Sequence, residues 1–410
     1  MRFAVRTALG AAVVATLTAG TFTAAAADGA APRTEGLSVT ADGKAADERT
    51  GSAVVSRDGR YAAFDTAATD LVPGDTNGVS DVFVRALGGG ELERISQDGR
   101  ELTDPAVSGD GRYVAMVSTK AGSSERDIQL YDRESGAFER LDVELPGDFQ
   151  EVTPRSLALS ADGRYAVFEA DGDHFEGSAV FLRDRTKGTT ERVSHRYTGD
   201  DGEKLSHSPT VSDGGRYVAY EQSFGNGPRG DDWSDIWVRD RETGKLTQAD
   251  RSHDGSETEK ESIDASISAD GSKVVFESRD THLVPDDEDA SWNVFVHDVA
   301  TGENERIHGT HGGSGAVYTR NAVISADGEH LVYMSQVDQD GGRAWPLYLR
   351  DLATGDDQLL TPNGKGAADG TASPGAVSED ATEVAFLSAD ATLLPEDTND
   401  GYDAFVRHLD

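Results

Sequence analysis

Along this chain, apolar residues gather in short runs that are too brief for helices, and the runs repeat. The stretch from Ser160 reads SADGRYAVF, that from Ser108 SGDGRYVAM, that from Ser56 SRDGRYAAF and that from Ser268 SADGSKVVF. Aligned on the Asp of the Asp-Gly pair, seven copies fall at Asp58, Asp110, Asp162, Gly214, Asp270, Asp327 and Asp380, spaced by 52, 52, 52, 56, 57 and 53 residues. Self-similarity at such a period is the mark of a propeller or solenoid, in which one repeat cannot bury its own faces.

Within each copy the pattern predicts four strands and no helix. A short apolar run such as Ala106-Val107-Ser108 comes first. An Asp-Gly turn follows, where glycine supplies positive φ without steric cost. An aromatic and β-branched strand comes next, then a variable polar loop, then a strand of the kind DVFVRA (from Asp81), DIWVRD (from Asp235) or NVFVHD (from Asn293). A second turn, ETG at Glu242 or ATG at Ala300, precedes a last strand such as TERVS at Thr190 or NERIH at Asn304. The second and third strands are apolar at nearly every position, as strands buried on both faces are.

An open solenoid carries polar caps at its ends. Here the last copy stops after its third strand, DAFVRHLD at Asp403–Asp410, and the strand it lacks stands at the other end of the chain. There EGLSVTADG (Glu35–Gly43) is similar to ELERISQDG (Glu91–Gly99). The pattern predicts an all-β chain. Residues 35–410 form a seven-bladed β-propeller of four-stranded antiparallel blades, and the strand 35–43 completes the last blade (373–410) and closes the ring. Closure removes exposed sheet edges.

The runs SADGRYAVFEA, DVFVR, RDRETG and TERVS resemble the WD40-like propeller repeats of the TolB type, in their secreted bacterial branch. The resemblance spans Glu35–Asp410 and implies the propeller fold. It also implies the range of roles such repeats take: periplasmic scaffolds that bind proteins or peptides, companions of peptidase domains, and some lyases. The chain departs from that pattern before Asp-Gly, where proline is usual and Arg57, Gly109, Ala161 and Ala269 stand here. The seventh copy reads EDAT from Glu379, without the glycine, and only a short linker (28–34) stands where TolB has its N-terminal domain.

Residues 1–27 follow another pattern. Arg2 and Arg6 precede the uncharged run ALGAAVVATLTAGTF, and small residues follow at Ala24–Ala27. This is the layout of a signal peptide, with cleavage expected after Ala26 or Ala27. Secretion, with no membrane span afterwards, is the expectation. The chain has no Cys, which excludes disulfides and thiolate chemistry. Its formal charge is −37, from 75 acidic and 38 basic residues. Such a surface repels phosphate backbones, so nucleic acid is excluded as a partner.

Strand order puts the tight Asp-Gly and Thr-Gly turns on one face and the long variable loops on the other, here called the top face. Function tends to sit on variable loops held by a rigid scaffold. Trp233, Trp292, Trp345 and Tyr402 each precede a third strand, in four consecutive blades. Such a series is either a stacking platform for a ligand or packing between loops. The loops DTNGVSD and DTNDGYD place side-chain oxygens at Asp75, Asn77 and Asp81, and again at Asp397, Asn399 and Asp403. Calcium takes several hard oxygen ligands on loops of this kind; Asx turns that shape the loop are the other reading. His174, His195, His207, His253, His282, His308 and His311 also fall in or beside top-face loops. The pair in HGTH (His308 to His311) has metal-ligand spacing, although histidines scattered through polar loops give the same appearance.

No G-x-S-x-G, H-E-x-x-H or P-loop is present, and no residue is assigned a catalytic role. The expected function is a secreted, monomeric binding module or scaffold that recognises an extracellular or envelope protein, or a glycan, through its top-face loops. The alternative is a propeller-type lyase or glycoside hydrolase with its site near the central tunnel.

Overall fold

The computed structural model describes residues 31–146, 153–171, 177–195, 203–225, 233–256, 258–309, 318–339, 342–364, 366–394, 397, 399 and 401–409. Residues 1–27, read from the sequence as a signal peptide, lie outside them, as do His174 and His311. Among the described residues no helix is long and apolar enough to cross a membrane.

Each repeat becomes a four-stranded antiparallel blade. Blade 1 comprises Thr50–Val55, Tyr61–Thr66, Asp81–Ala86 and Leu92–Ile95. Blades 2 to 6 start at Arg100, Thr153, Glu203, Ser262 and Thr319 and repeat the order. Blade 7 is built from Glu383–Ser388, Asp403–His408 and the N-terminal strand Arg33–Gly36. Its innermost strand is reduced to bridges from Thr371 to Leu387 and from Val377 to Val384. The sheet order is a seven-bladed propeller closed by the N-terminal strand.

That strand is shorter than its sequence suggests. Arg33–Gly36 pairs with Phe405–His408, and Leu37 continues it with a hydrogen bond to the Ala404 carbonyl (2.8 Å). From Thr40 the chain turns, with Gly43 at φ 84° donating to the Thr40 carbonyl. The Asp42-Gly43 pair is thus a hairpin turn after the strand, so only its first part lies in blade 7.

The recurring residues hold blade to blade. In blade 2, Ser108 Oγ donates to Asp110 Oδ1 (2.8 Å) and accepts the Tyr113 amide (2.9 Å), which fixes the Asp-Gly turn. The turn glycine then lies under the tyrosine ring of the preceding blade: Gly111 under Tyr61, Gly163 under Tyr113, Gly215 under Tyr165 and Gly271 under Tyr217. An arginine of the following blade covers the same ring. Arg133 stands 4.5 Å from the Tyr61 centroid, donates to the Gly111 carbonyl (2.8 Å) and pairs with Glu93 of blade 1 (2.8 Å). Arg185 repeats this on Tyr113, Gly163 and Glu139, and Arg241 on Tyr165, Gly215 and Glu191. Inside blades 1, 3, 5 and 7, phenylalanines of the second and third strands stack, as Phe64 on Phe83 at 5.6 Å.

Gly163 has φ 66°, and a Cβ there would overlap the Tyr113 ring. Gly163→Ala is expected to cost roughly 2–4 kcal/mol, from left-handed backbone and a displaced ring together. Urea denaturation measures it. A loss below about 0.5 kcal/mol, the size of an ordinary surface change, would refute the interlock.

Candidate functional site at the top of the central well

The innermost strands of blades 1 to 6 all carry a β-bulge at the same level, between Thr50 and Ala53, Thr103 and Ala106, Pro154 and Leu157, His207 and Thr210, Ile263 and Ser266, and Arg320 and Val323. At four of them the first bulged residue is left-handed: Asp104 (φ 52°), Ser208 (48°), Asp264 (56°) and Asn321 (54°). Bulges re-aim side chains, and such conformations in non-glycine residues gather at functional sites. Here Asp104, Arg155, Ser208, Asp264 and Asn321, joined by Arg126, line a central well of about 510 Å³.

A buried carboxylate one strand further out holds each of three bulges. Asp65 accepts the Asp104 amide, Glu221 the Asp264 amide and Glu277 the Asn321 amide, each reaching from one blade to the next. Glu169, at the same repeat position, instead accepts Ser156 Oγ (3.1 Å) and bonds His207 Nδ1 (3.1 Å), whose Nε2 lies 3.1 Å from Ser223 Oγ. Burial, together with the nearby Asp104 and Asp264, pushes Asp65 and Glu221 up to about 7. Burial also raises Asp104, Asp264 and Glu277. Burial alone would lower His207, but its bond to Glu169 and the field of Glu221 leave it raised.

These shifts fix a pH dependence. Between about pH 4 and 7 the unfolded chain loses protons that Asp65 and Glu221 keep when folded, so stability falls as pH rises through that window. Arg112, Arg164 and Arg216 hold Asp132, Asp184 and Asp240 low, which matters only under more acidic conditions. The melting temperature is expected to be higher at pH 5.5 than at pH 7.5. The double variant Asp65→Asn, Glu221→Gln should lessen the slope, part of which Asp250, pushed up to about 8 by burial, retains; an unchanged slope would remove these two groups from the account.

Beside the well and sharing Asp264 and Asn321 with it, a niche of about 410 Å³ opens at the top face. Its walls are Trp345, Tyr402, Arg320, Asp264, Glu277 and Asp369. Trp345 follows a small hairpin inserted in blade 6 (Val337–Gln339 and Gly342–Ala344). Its amide donates to Asp369 (2.7 Å), and Tyr318 meets its ring edge-on at 6.1 Å. Tyr402 is 46% exposed, the one exposed large hydrophobic side chain among the described residues. Arg320 pairs with Glu277 (3.0 Å) and lies 4.8 Å from the ring of Trp292. Three of the four aromatics picked out in the sequence therefore gather around Arg320. Trp233 does not join them: it is buried, and its indole N–H donates to Asp235 (3.0 Å).

The lower end of the well is narrow. Backbone hydrogen bonds run around it from Gly109 to Ala161, Asp213 to Ala269, Ala269 to Ala326, and Glu379 to Arg57. These residues occupy the position before Asp-Gly, and proline there has no N–H to donate. The ion pair of Arg57 in blade 1 with Asp213 in blade 4 crosses the axis.

The two loops considered for calcium differ. In blade 1, Arg94 Nη2 stands 2.8 Å from Asp75 and 2.6 Å from Asp81, and Asn77 Nδ2 donates to Asp81 (3.0 Å). The chain's own guanidinium thus occupies the position expected for the ion. Around Asp397, Asn399 and Asp403 no arginine does so among the described residues. No group of three or more His, Cys, Asp or Glu stands together at metal-binding distance among them either. His253 Nδ1 bonds the His282 carbonyl (2.8 Å) and His282 Nδ1 bonds Asp280 (3.3 Å); His195 and His308 are elsewhere.

No protein-family model matches the sequence, and no curated protein matches it. Among solved structures the chain is similar to oligogalacturonate lyase from Vibrio parahaemolyticus, at 13% identity and TM-score 0.57 over 92% of this chain and 96% of that one. It is also similar to the propeller domain of the trilobed protease from Pyrococcus furiosus, described as having an open velcro topology, at 15% identity and TM-score 0.58 over 88% and 94%. TolB from Acinetobacter baumannii aligns at 14% identity and TM-score 0.44 over 88% and 78%. At these identities the likeness to the first two establishes the propeller fold.

Proposed function

We propose that this chain is an exported binding module that takes a saccharide into its top-face niche and the adjoining well. One observation carries the reading: Trp345 and Tyr402 line the same cavity as Arg320, Asp264, Glu277 and Asp369. Flat aromatic faces suit the C–H faces of sugar rings, while a few convergent polar groups fix hydroxyls. Acidic and basic side chains both line the cavity, which favours recognition of hydroxyl groups over net charge. The test is retention of the protein on immobilised cell-wall and extracellular polysaccharides, with Trp345→Ala beside it. Retention that the variant loses supports the reading; no retention on any glycan, or equal retention by both, sinks it.

A second reading, cleavage of an acidic polysaccharide by elimination, is favoured by the chain of Glu169, His207 and Ser223 beside the well and by the lyase among the similar structures. Ultraviolet absorbance of an unsaturated product from oligogalacturonate would establish it, and its absence with oligogalacturonate would count against it.

A further inference from the structure

Three loops of this propeller share one pattern of oxygen ligands. Blade 1 has Asp75, Asn77 and Asp81, blade 5 has Asp287, Asp289 and Asn293, and blade 7 has Asp397, Asn399 and Asp403. In the first two, a cation from the blade's fourth strand fills the cage. Arg306 lies 2.5 Å from Asp287, 2.7 Å from Asp289 and 2.8 Å from Asn293, as Arg94 lies against Asp75 and Asp81. Register explains how: Arg94 is paired with Phe83 and Arg306 with Phe295 on the neighbouring third strands.

In blade 7 the equivalent residue of the third strand is Phe405, and its partner on the closing strand is Gly36. The cage keeps its oxygens and has lost its arginine. Among the described residues, no Lys, Arg or His forms an ion pair with Asp397 or Asp403. Asp403 is 1% exposed; its Oδ1 accepts Ser38 Oγ (3.0 Å), and beside it the carboxylate has only the Asn399 side chain and the like charge of Asp397. A buried carboxylate without a counter-charge is strongly unfavourable, so the cage is incomplete as it stands.

We infer that Asp397, Asn399 and Asp403 form a divalent-cation site that takes calcium where the sister blades carry arginine. The donors are hard oxygens with no imidazole among them, which suits calcium over transition metals. The position gives the ion a task. Ser38 belongs to the closing segment, and Asn399 Nδ2 donates to the Ala46 carbonyl (3.0 Å) on the way into blade 1. An ion on Asp403 and Asp397 links both ends of the chain at the one blade they share.

The test uses the mature chain stripped with a chelator and titrated with calcium chloride. One calcium per chain is expected, with a dissociation constant on the order of 10⁻⁴–10⁻³ M, as in extracellular modules. The melting temperature should rise with calcium. Terbium should bind at the same stoichiometry and be displaced by calcium. Asp403→Asn should abolish both responses, and Asp397→Asn, at a less buried position, does the same if the first variant folds poorly. Gly36→Arg should remove the calcium response by supplying the missing guanidinium, if Leu394 and Val39 shift to admit its Cβ. No calcium effect on the wild type at millimolar concentrations, or an effect that persists in both Asp variants, overturns the assignment.

Discussion

A chain trimmed to begin at Ser38 is expected to lose its cooperative melting transition and to associate. Removing Arg33–Gly36 leaves the strand Asp403–His408 with an open row of backbone donors and acceptors, and such an edge recruits other chains. Leu37, fully buried, goes with it; it packs in the cluster that joins blade 7 to blades 1 and 6. Arg85 of blade 1 loses the Leu37 carbonyl, which its Nε reaches at 3.0 Å. The point variant Leu37→Ala isolates the packing part and is expected to cost about 2–5 kcal/mol, read from urea midpoints. Light scattering and calorimetry on the trimmed chain check the rest. A monodisperse trimmed chain that melts like the full one would mean that blade 7 stands without its fourth strand.

Trp345→Ala is expected to weaken saccharide binding by about 30-fold, near 2 kcal/mol, as for other central aromatic anchors. Tyr318 meets the ring edge-on and the backbone N–H of Trp345 donates to Asp369, which fixes the main chain that carries it, so little freedom is lost when a sugar stacks on it. Its side chain belongs to a surface niche, so melting should move little. Calorimetric titration with whichever glycan retains the protein gives the affinity, and thermal melting controls for the fold. Trp233→Ala is the informative companion. That ring is buried away from the niche, so its loss should lower stability and spare affinity. The reverse result would place the site on the wrong aromatics.

The propeller was legible because its locks are short-range and repeated. Ser-x-Asp-Gly-Arg-Tyr carries the turn, the glycine that meets a neighbour's ring and the ring itself. Other features were harder to read because they join residues far apart in the chain. Asp75 and Asp81 look like a calcium loop until Arg94, on the next strand, is placed between them. Alignment of the closing strand through its Asp-Gly pair sets Ser38 against Arg94. The real pairing sets Gly36 there, because Asp42-Gly43 is an extra turn. The carboxylates beside the well do have a sequence signal, an acid directly after the second-strand aromatic: Asp65, Glu221 and Glu277, which hold bulges, and Glu169, which bonds His207. Trp233, Trp292, Trp345 and Tyr402 all stand just before a third strand, and nothing in that spacing separates the buried Trp233 from the other three.

The tied lower rim has a consequence for what the molecule can admit. With backbone bonds around the base and the Arg57–Asp213 pair across it, the lower mouth of the well is barred as long as that pair holds. On the saccharide reading, a polymer that leaves the pair intact can only dip a terminus into the well, so a ligand held at the bottom would be a chain end, and a branched or capped polysaccharide would be recognised by how many free ends it offers.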